Sequence, residues 1–218
     1  GNNNNLDQGD PEKKPTYQTG VVNAQAVLNF DGTNDFLRAP NAGSLGLFDN
    51  GGSIFAVVKL NSIPATFSTV VNKGTSYQLG VQNDGATRIN TIGMSNADGI
   101  TYANNNCISA DQFAIIGFVS NKTNATDTTK YGFWVNGSNQ GNITSGLGAN
   151  NDTDLKIGGG GDGVGHVNAS ICEVIMSDSE FTTGNRQLVE GYLANKFGLK
   201  ASLPSSHPYR TESPKVSD

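Results

Sequence analysis

Several residue types are scarce in this chain, and each scarcity closes off a class of function. Five Glu (12, 173, 180, 190 and 212) and two His (166 and 207) among 218 residues leave few groups for acid–base or nucleophilic work. Fourteen Lys and Arg, scattered against 19 Asp and Glu for a formal charge of -5, form no basic cluster that could displace counterions from phosphate. Nucleic acid is therefore not an expected partner. No stretch approaches the roughly 18 consecutive apolar residues that a membrane span needs, so membrane insertion is not expected either. Cys107 and Cys172 are the only cysteines, and neither has a Cys or His neighbour at metal-ligand spacing, which argues against structural zinc. They could close one disulfide, worth roughly 4 kcal/mol by chain entropy for so long a loop; alternatively Cys172, in the apolar run ICEVIM, is a small buried hydrophobe.

What is abundant is Gly (28) and Asn (27), both poor helix formers and good turn formers. The expectation is many short strands joined by turns. Runs with that character are AVLNF, DFLRA, SIFAVVKL, FSTVVNK, SYQLGVQ, RINTIGM, GITYA, QFAIIGFVS, KYGFWVNG, NQGNIT, DLKIGG and VNASICEVIMS, each bounded by Gly, Asn, Pro or Asp. Some alternate: Tyr131, Phe133 and Val135 oppose Gly132 and Trp134. Others, IFAVVKL and CEVIM, are apolar on both faces and belong at a sheet centre or under a covering loop or helix. One helix is predicted from an N-cap at Thr182 or Thr183 through NRQLVEGYLANKF, with Leu188 and Tyr192, and Val189, Leu193 and Phe197, in one apolar stripe. Gly198 suits the left-handed position after it, and Pro204 stops it. The fold class expected is all-β, a two-sheet antiparallel jelly-roll sandwich with one short C-terminal helix. Residues 1–20 read as an extended arm, 21–200 as the domain with its helix near 183–197, and 201–218 as an extended tail. The chain opens with Gly1 rather than Met and reads as a fragment or processed form.

The segments GNNNN, PTYQTG, LNFDGTNDFL, SIFAVVKL, WVNG, LKIGG, ICEVIMSD, QLVEGYLANKFGL and LPSSHPY occur in an order that resembles the concanavalin A-like lectin/glucanase superfamily. More closely, they resemble the laminin-G-like jelly-roll domains of bacterial surface and secreted proteins and of phage structural proteins. The resemblance spans nearly the whole chain. It implies two curved antiparallel sheets whose concave face or rim loops bind carbohydrate or protein, sometimes with calcium. It does not imply catalysis, because lectins, glycosidases, adhesion modules and capsid decorations share the fold.

Glycoside hydrolysis needs a pair of carboxyls about 5 to 9 Å apart, and the Glu-x-Asp-x-x-Glu strand pattern of the glucanase branch does not occur here. Glu173 stands alone in an apolar strand, either as a catalytic or ligand-orienting carboxylate or as a structural acceptor that ties down a loop. His207 precedes a Pro in the tail and reads as a packing residue, while His166 flanks the glycine-rich loop at 158–161. That loop lacks the Lys-Ser/Thr and the helix of a phosphate-binding loop, and reads as a connection whose glycines allow close approach of a ligand. Asp152, Asp154 and Asp162 are candidate calcium ligands, although their spacing is not that of an EF-hand. Sugar sites pair aromatic rings with polar loop groups, which nominates Trp134, Tyr77, Tyr102, Asp162 and His166 as ligand-binding residues. Trp134 reads equally as core or as platform.

The sequence thus points to a non-catalytic recognition module with no catalytic residues, carbohydrate-binding and adhesive, in a larger secreted or surface protein. Its partner is expected to be a glycan or a surface protein, and its location extracellular, at a cell surface or on a virion. A virion decoration, fibre or purely structural adhesion domain is the first alternative, and a glycoside hydrolase the second.

Overall fold

The computed structural model describes residues 4–47, 51–96, 99–120, 131–143, 151–160 and 165–215. Thirteen strands among them form two antiparallel sheets, with one α-helix. The seven-stranded sheet runs, edge to edge, through β1 (Thr16–Val22), β2 (Gln25–Asp31), β13 (Asn168–Ser177), β4 (Gly52–Leu60), β9 (Phe113–Ser120), β10 (Tyr131–Val135) and β11 (Ser138–Ile143). The six-stranded sheet runs through β3 (Leu37–Ala39), β12 (Leu155–Ile157), β5 (Ser68–Lys73), β6 (Tyr77–Gln82), β7 (Thr91–Asn96) and β8 (Gly99–Tyr102). Helix α1 spans Thr183–Lys196.

The two-faced apolar strands lie where their composition requires. β4 is the central strand of seven. Its Ile54, Ala56, Val58 and Leu60 enter the core between the sheets, while Phe55 and Val57 face outward into a second cluster under α1, with Ile115, Leu193, Ala194 and Phe197. Phe133 and Val135 join the core between the sheets and Trp134 the outer cluster, as alternation along β10 predicts.

β13 achieves the same division with a bulge: Ile171 opposes Val58 and Glu173 opposes Val57, which leaves Cys172 as the extra residue. The bulge re-aims the strand, so Glu173 reaches the helix, accepting from Lys196 Nζ at 2.9 Å and Tyr192 Oη at 3.0 Å. Glu173 is thus a structural acceptor that fastens α1 to the sheet.

The helix starts with the Thr182 hydroxyl accepting from Asn185 N at 3.2 Å. It ends with Leu199 N on Ala194 O at 2.7 Å, the six-residue closure that a left-handed residue permits, and Gly198 supplies it at φ +70. Two details depart from the sequence reading. Leu188 and Tyr192 are substantially exposed, whereas polar Arg186 and Glu190 are buried on the packed face. The tail is not extended either: a 3-10 turn at Lys200–Ser202 is followed by turns through 211, and Leu203 and His207 are buried. At the other end, Thr16 to Gly20, read as part of the arm, begin edge strand β1. Cys107 and Cys172 are free thiols, so the disulfide considered above does not form. Cys107 packs on the core between the sheets and Cys172 on the outer cluster, so the seven-stranded sheet's two faces separate them. Burial pushes the Cys172 thiol up to about 12, with Glu173 adding to the shift.

Candidate functional site

In an antiparallel ladder, residues directly opposite one another put their side chains on the same face. Following the register across the six-stranded sheet, Arg38 opposes Lys156, Lys156 opposes Asn72, Asn72 opposes Gln78, Gln78 opposes Ser95 and Ser95 opposes Ile100. One lateral row therefore crosses all six strands on the face turned away from the core. With neighbouring strands about 4.8 Å apart, its five steps span about 24 Å. The row grades from two cations through two amides and a hydroxyl to an aliphatic side chain.

A groove follows this row. Its two halves, of about 550 and 440 Å³, share Asn72, Gly74 and Gly160. Phe36 lines one half and Phe67 the other. Lys156 Nζ stands 5.5 Å from the Phe36 ring centroid, and Phe67 meets Tyr102 edge to face at 6.1 Å. Gln78 Nε2 donates to Gly74 O at 2.7 Å, and Asn72 Oδ1 accepts from Gly74 N at 2.9 Å, which fixes both amides. Amides, hydroxyls and aromatic faces in one open cleft suit a ligand with many hydroxyls and some apolar C–H surface.

The loop at the cationic end is held from beneath by Lys73, whose side chain is buried. Its ammonium donates to Asn151 O at 2.7 Å, Asn41 Oδ1 at 2.9 Å and Thr153 O at 3.0 Å. Burial lowers the Lys73 pKa, and Asp152 and Asp154 oppose that shift. Asp152 Oδ1 accepts from Asn41 Nδ2 at 3.2 Å. Asp154 accepts from Asn41 N at 3.0 Å and pairs with Arg38 at 3.3 Å. Calcium needs six to eight oxygen ligands. Here the loop carbonyls already hold an ammonium, both carboxylates are engaged, and among the described residues no three His, Cys, Asp or Glu side chains come together. As placed, Asp152 and Asp154 are committed to Asn41 and Arg38; the third candidate, Asp162, lies outside the described residues.

The other nominated residues are dispersed. His166 adjoins the groove through Gly165, which accepts from Thr69 N at 2.7 Å, and its Nδ1 donates to Asp35 O at 3.1 Å. Tyr102 stands on the same outer face opposite Gly93, but Arg88 covers its ring at 4.4 Å and its hydroxyl is close to Gln82 Oε1. It buttresses Phe67 and does not line the groove. Tyr77 cannot present a ring to a ligand, because it is fully buried between the sheets with its hydroxyl on Leu45 O at 3.0 Å; burial raises its pKa. Trp134 is on the other sheet altogether. Of the row itself, sequence reasoning nominated nothing. The available signal was a polar residue at an outward position of five of the six strands, which acquires meaning only once the register aligns them.

No protein-family profile matches the chain, and no curated protein sequence is similar to it. Solved structures do share its architecture. The binding domain of paraclostridial mosquitocidal protein 1 is similar at 12% identity and a TM-score of 0.65, over 89% of this chain and 49% of that one. Domain 4 of AbnA, an extracellular GH43 arabinanase of Geobacillus stearothermophilus solved with arabinotriose, gives 14% identity and 0.56 over 79% of each chain. A carbohydrate-binding protein assigned in Bacteroides ovatus gives 15% and 0.57, over 73% of this chain and 45% of that one. The chain thus spans about half of two of these three. At such identities the likeness is one of fold, a two-sheet β-sandwich of the jelly-roll kind.

Proposed function

We propose that the chain is a non-catalytic, extracellular recognition module that binds a glycan along the outer face of the six-stranded sheet. The observation that carries this reading is the unbroken row from Arg38 to Ile100 lying along an open groove. Its amides and hydroxyl would exchange hydrogen bonds with sugar hydroxyls, and Phe36 and Phe67 would take the apolar faces of the rings. The arabinotriose bound to domain 4 of the arabinanase supports a sugar ligand for this kind of sandwich, by analogy of fold. The carboxylates at the cationic end of the groove, Asp152 and Asp154, hold Asn41 and Arg38 in place. An extracellular location rests on the same analogy; among the described residues no helix is long and apolar enough to cross a membrane.

The test is a glycan array of neutral and acidic chains probed with the purified protein, with calcium and with chelator. Binding that is equal in the two conditions and lost in Gln78→Ala/Lys156→Ala is the expected result. Silence from a folded sample overturns the glycan reading in favour of an architectural or virion role.

A further inference from the structure

The sole tryptophan lies on the far side of the molecule from the groove, beside a second cavity. This cavity, of about 310 Å³, opens between the β10–β11 hairpin and the start of α1, and its lining includes Gly132, Trp134, Asn139, Asn142, Phe181 and Arg186. Its volume is in the range of small-ligand clefts, about 300–1,000 Å³. Three features show that its walls are organised. The first is a bulge: Gly132 opposes Asn142, yet Trp134 opposes Asn139. Asn139 and Asn142 are three apart and would point to opposite faces of a regular strand; the extra residue turns both to the cavity, where Asn139 Nδ2 donates to Asn142 Oδ1 at 2.9 Å. The second is Gly132, where a Cβ would lie 3.0 Å from Trp134 Nε1 and 3.2 Å from Asn142 Oδ1, so the missing side chain keeps the indole N–H accessible. The third is the support for the indole: the Arg186 guanidinium lies 3.5 Å from its ring centroid and is itself held by Glu190 at 2.5 Å, which also meets His207 Nε2 at 3.1 Å. All three supporting side chains are buried.

Arg186 covers one face of Trp134 and withdraws it from stacking on a ligand, while the edge of the ring carries the Nε1 donor. Trp134 Nε1 has no acceptor among the described residues. Around it stand the two Asn amides, the Thr183 hydroxyl and the Glu180 carboxylate, with Phe181 and Val119 as an apolar wall. Donors and acceptors are mixed, and the one buried cation is balanced by Glu190, so the chemistry favours a neutral polyhydroxyl ligand over an anion. We infer that this cavity is a second binding site, which takes a single neutral sugar unit edge-on to Trp134. The site is independent of the groove and would give the module two sugar contacts on opposite faces.

Because Trp134 is the only tryptophan, its fluorescence reports this cavity. The purified chain is titrated with free hexoses, pentoses and N-acetylhexosamines. A saturable change in emission with at least one of them is expected. Asn142→Ala should weaken it about tenfold, the loss of one or two hydrogen bonds to a ligand, and Gly132→Ala should weaken it further by filling the opening. Gln78→Ala, in the groove, should leave the titration unaltered. No change in emission with any sugar up to its solubility, from protein folded by circular dichroism, overturns the proposal. So does a response insensitive to Asn142→Ala and Gly132→Ala, or one abolished by Gln78→Ala. A silent glycan array together with a positive tryptophan titration would refute the groove and keep this site.

Discussion

The two sheets of this sandwich carry very different outer faces. That of the seven-stranded sheet is covered: α1 and the folded tail place Leu193, Ala194, Phe197 and Leu203 over Phe55, Val57 and Ile115. That of the six-stranded sheet is polar and grooved, and no helix covers it among the described residues. The difference teaches how one fold divides its work. Burial of apolar surface, at about 25 cal/mol per Å², makes the covered face part of the stability of the domain, while the other face keeps the polar and cationic row on which the proposed glycan site rests.

The contrast predicts that substitutions of the apolar side chains packed under α1 act on stability and those along the groove on groove binding. The largest effects should come from the helix. Phe197→Ala should cost about 3–5 kcal/mol in urea unfolding through the cavity it leaves. Glu190→Ala should cost a similar amount, about 3–5 kcal/mol, because it strands Arg186 as an unpaired buried charge. Burial raises the Glu190 pKa against the opposing pull of Arg186 and His207, and its Oε1 has no partner among the described residues; Glu190→Gln should therefore be milder than Glu190→Ala.

Lys73→Met comes next. It leaves Asn151 O and Thr153 O without their donor, should cost about 1–3 kcal/mol, and should weaken glycan binding at the cationic end, which would link the two roles at one residue. Groove substitutions should be nearly silent in unfolding: Gln78→Ala and Lys156→Ala are expected within about 0.5–1 kcal/mol of the parent each.

The smallest effect concerns acid. Backbone N–H groups of Arg88 and Ala86, with further bonds from Thr87, hold Asp84 well below its ordinary 3.8, at about 2. A carboxylate with a depressed folded pKa stabilises the fold above its unfolded value, and that contribution is lost as the pH falls from 3.8 through about 2. The protection of amides 86–88 against exchange, taken relative to the intrinsic rate at each pH, should fall over that interval in the parent and not in Asp84→Asn.

Much of the fold was legible because it depends on local pattern. The twelve turn-bounded runs are twelve of the thirteen strands among the described residues, and the Thr182 cap and Gly198 mark both ends of the helix. β1 was missed because Thr16–Val22 is an edge strand with little apolar alternation, exposed along nearly its whole length. The buried Arg186–Glu190–His207 chain was missed because polar residues on a helix read as solvent-facing unless their partners are known. The site was least legible. Tyr77 and Trp134 were nominated by residue type, yet alternation alone could not say which face of which sheet is open. The groove depends on register between strands up to 118 positions apart, as with Arg38 and Lys156, and composition carries no trace of that.

The most direct test of the division between the faces is to measure glycan-array binding and urea unfolding on the parent, on Gln78→Ala/Lys156→Ala and on Phe197→Ala. The groove variant should lose binding and keep its unfolding midpoint; Phe197→Ala should lose stability and, while still folded, keep binding. A groove variant that binds as the parent does, or a folded Phe197→Ala that does not bind, would contradict the account.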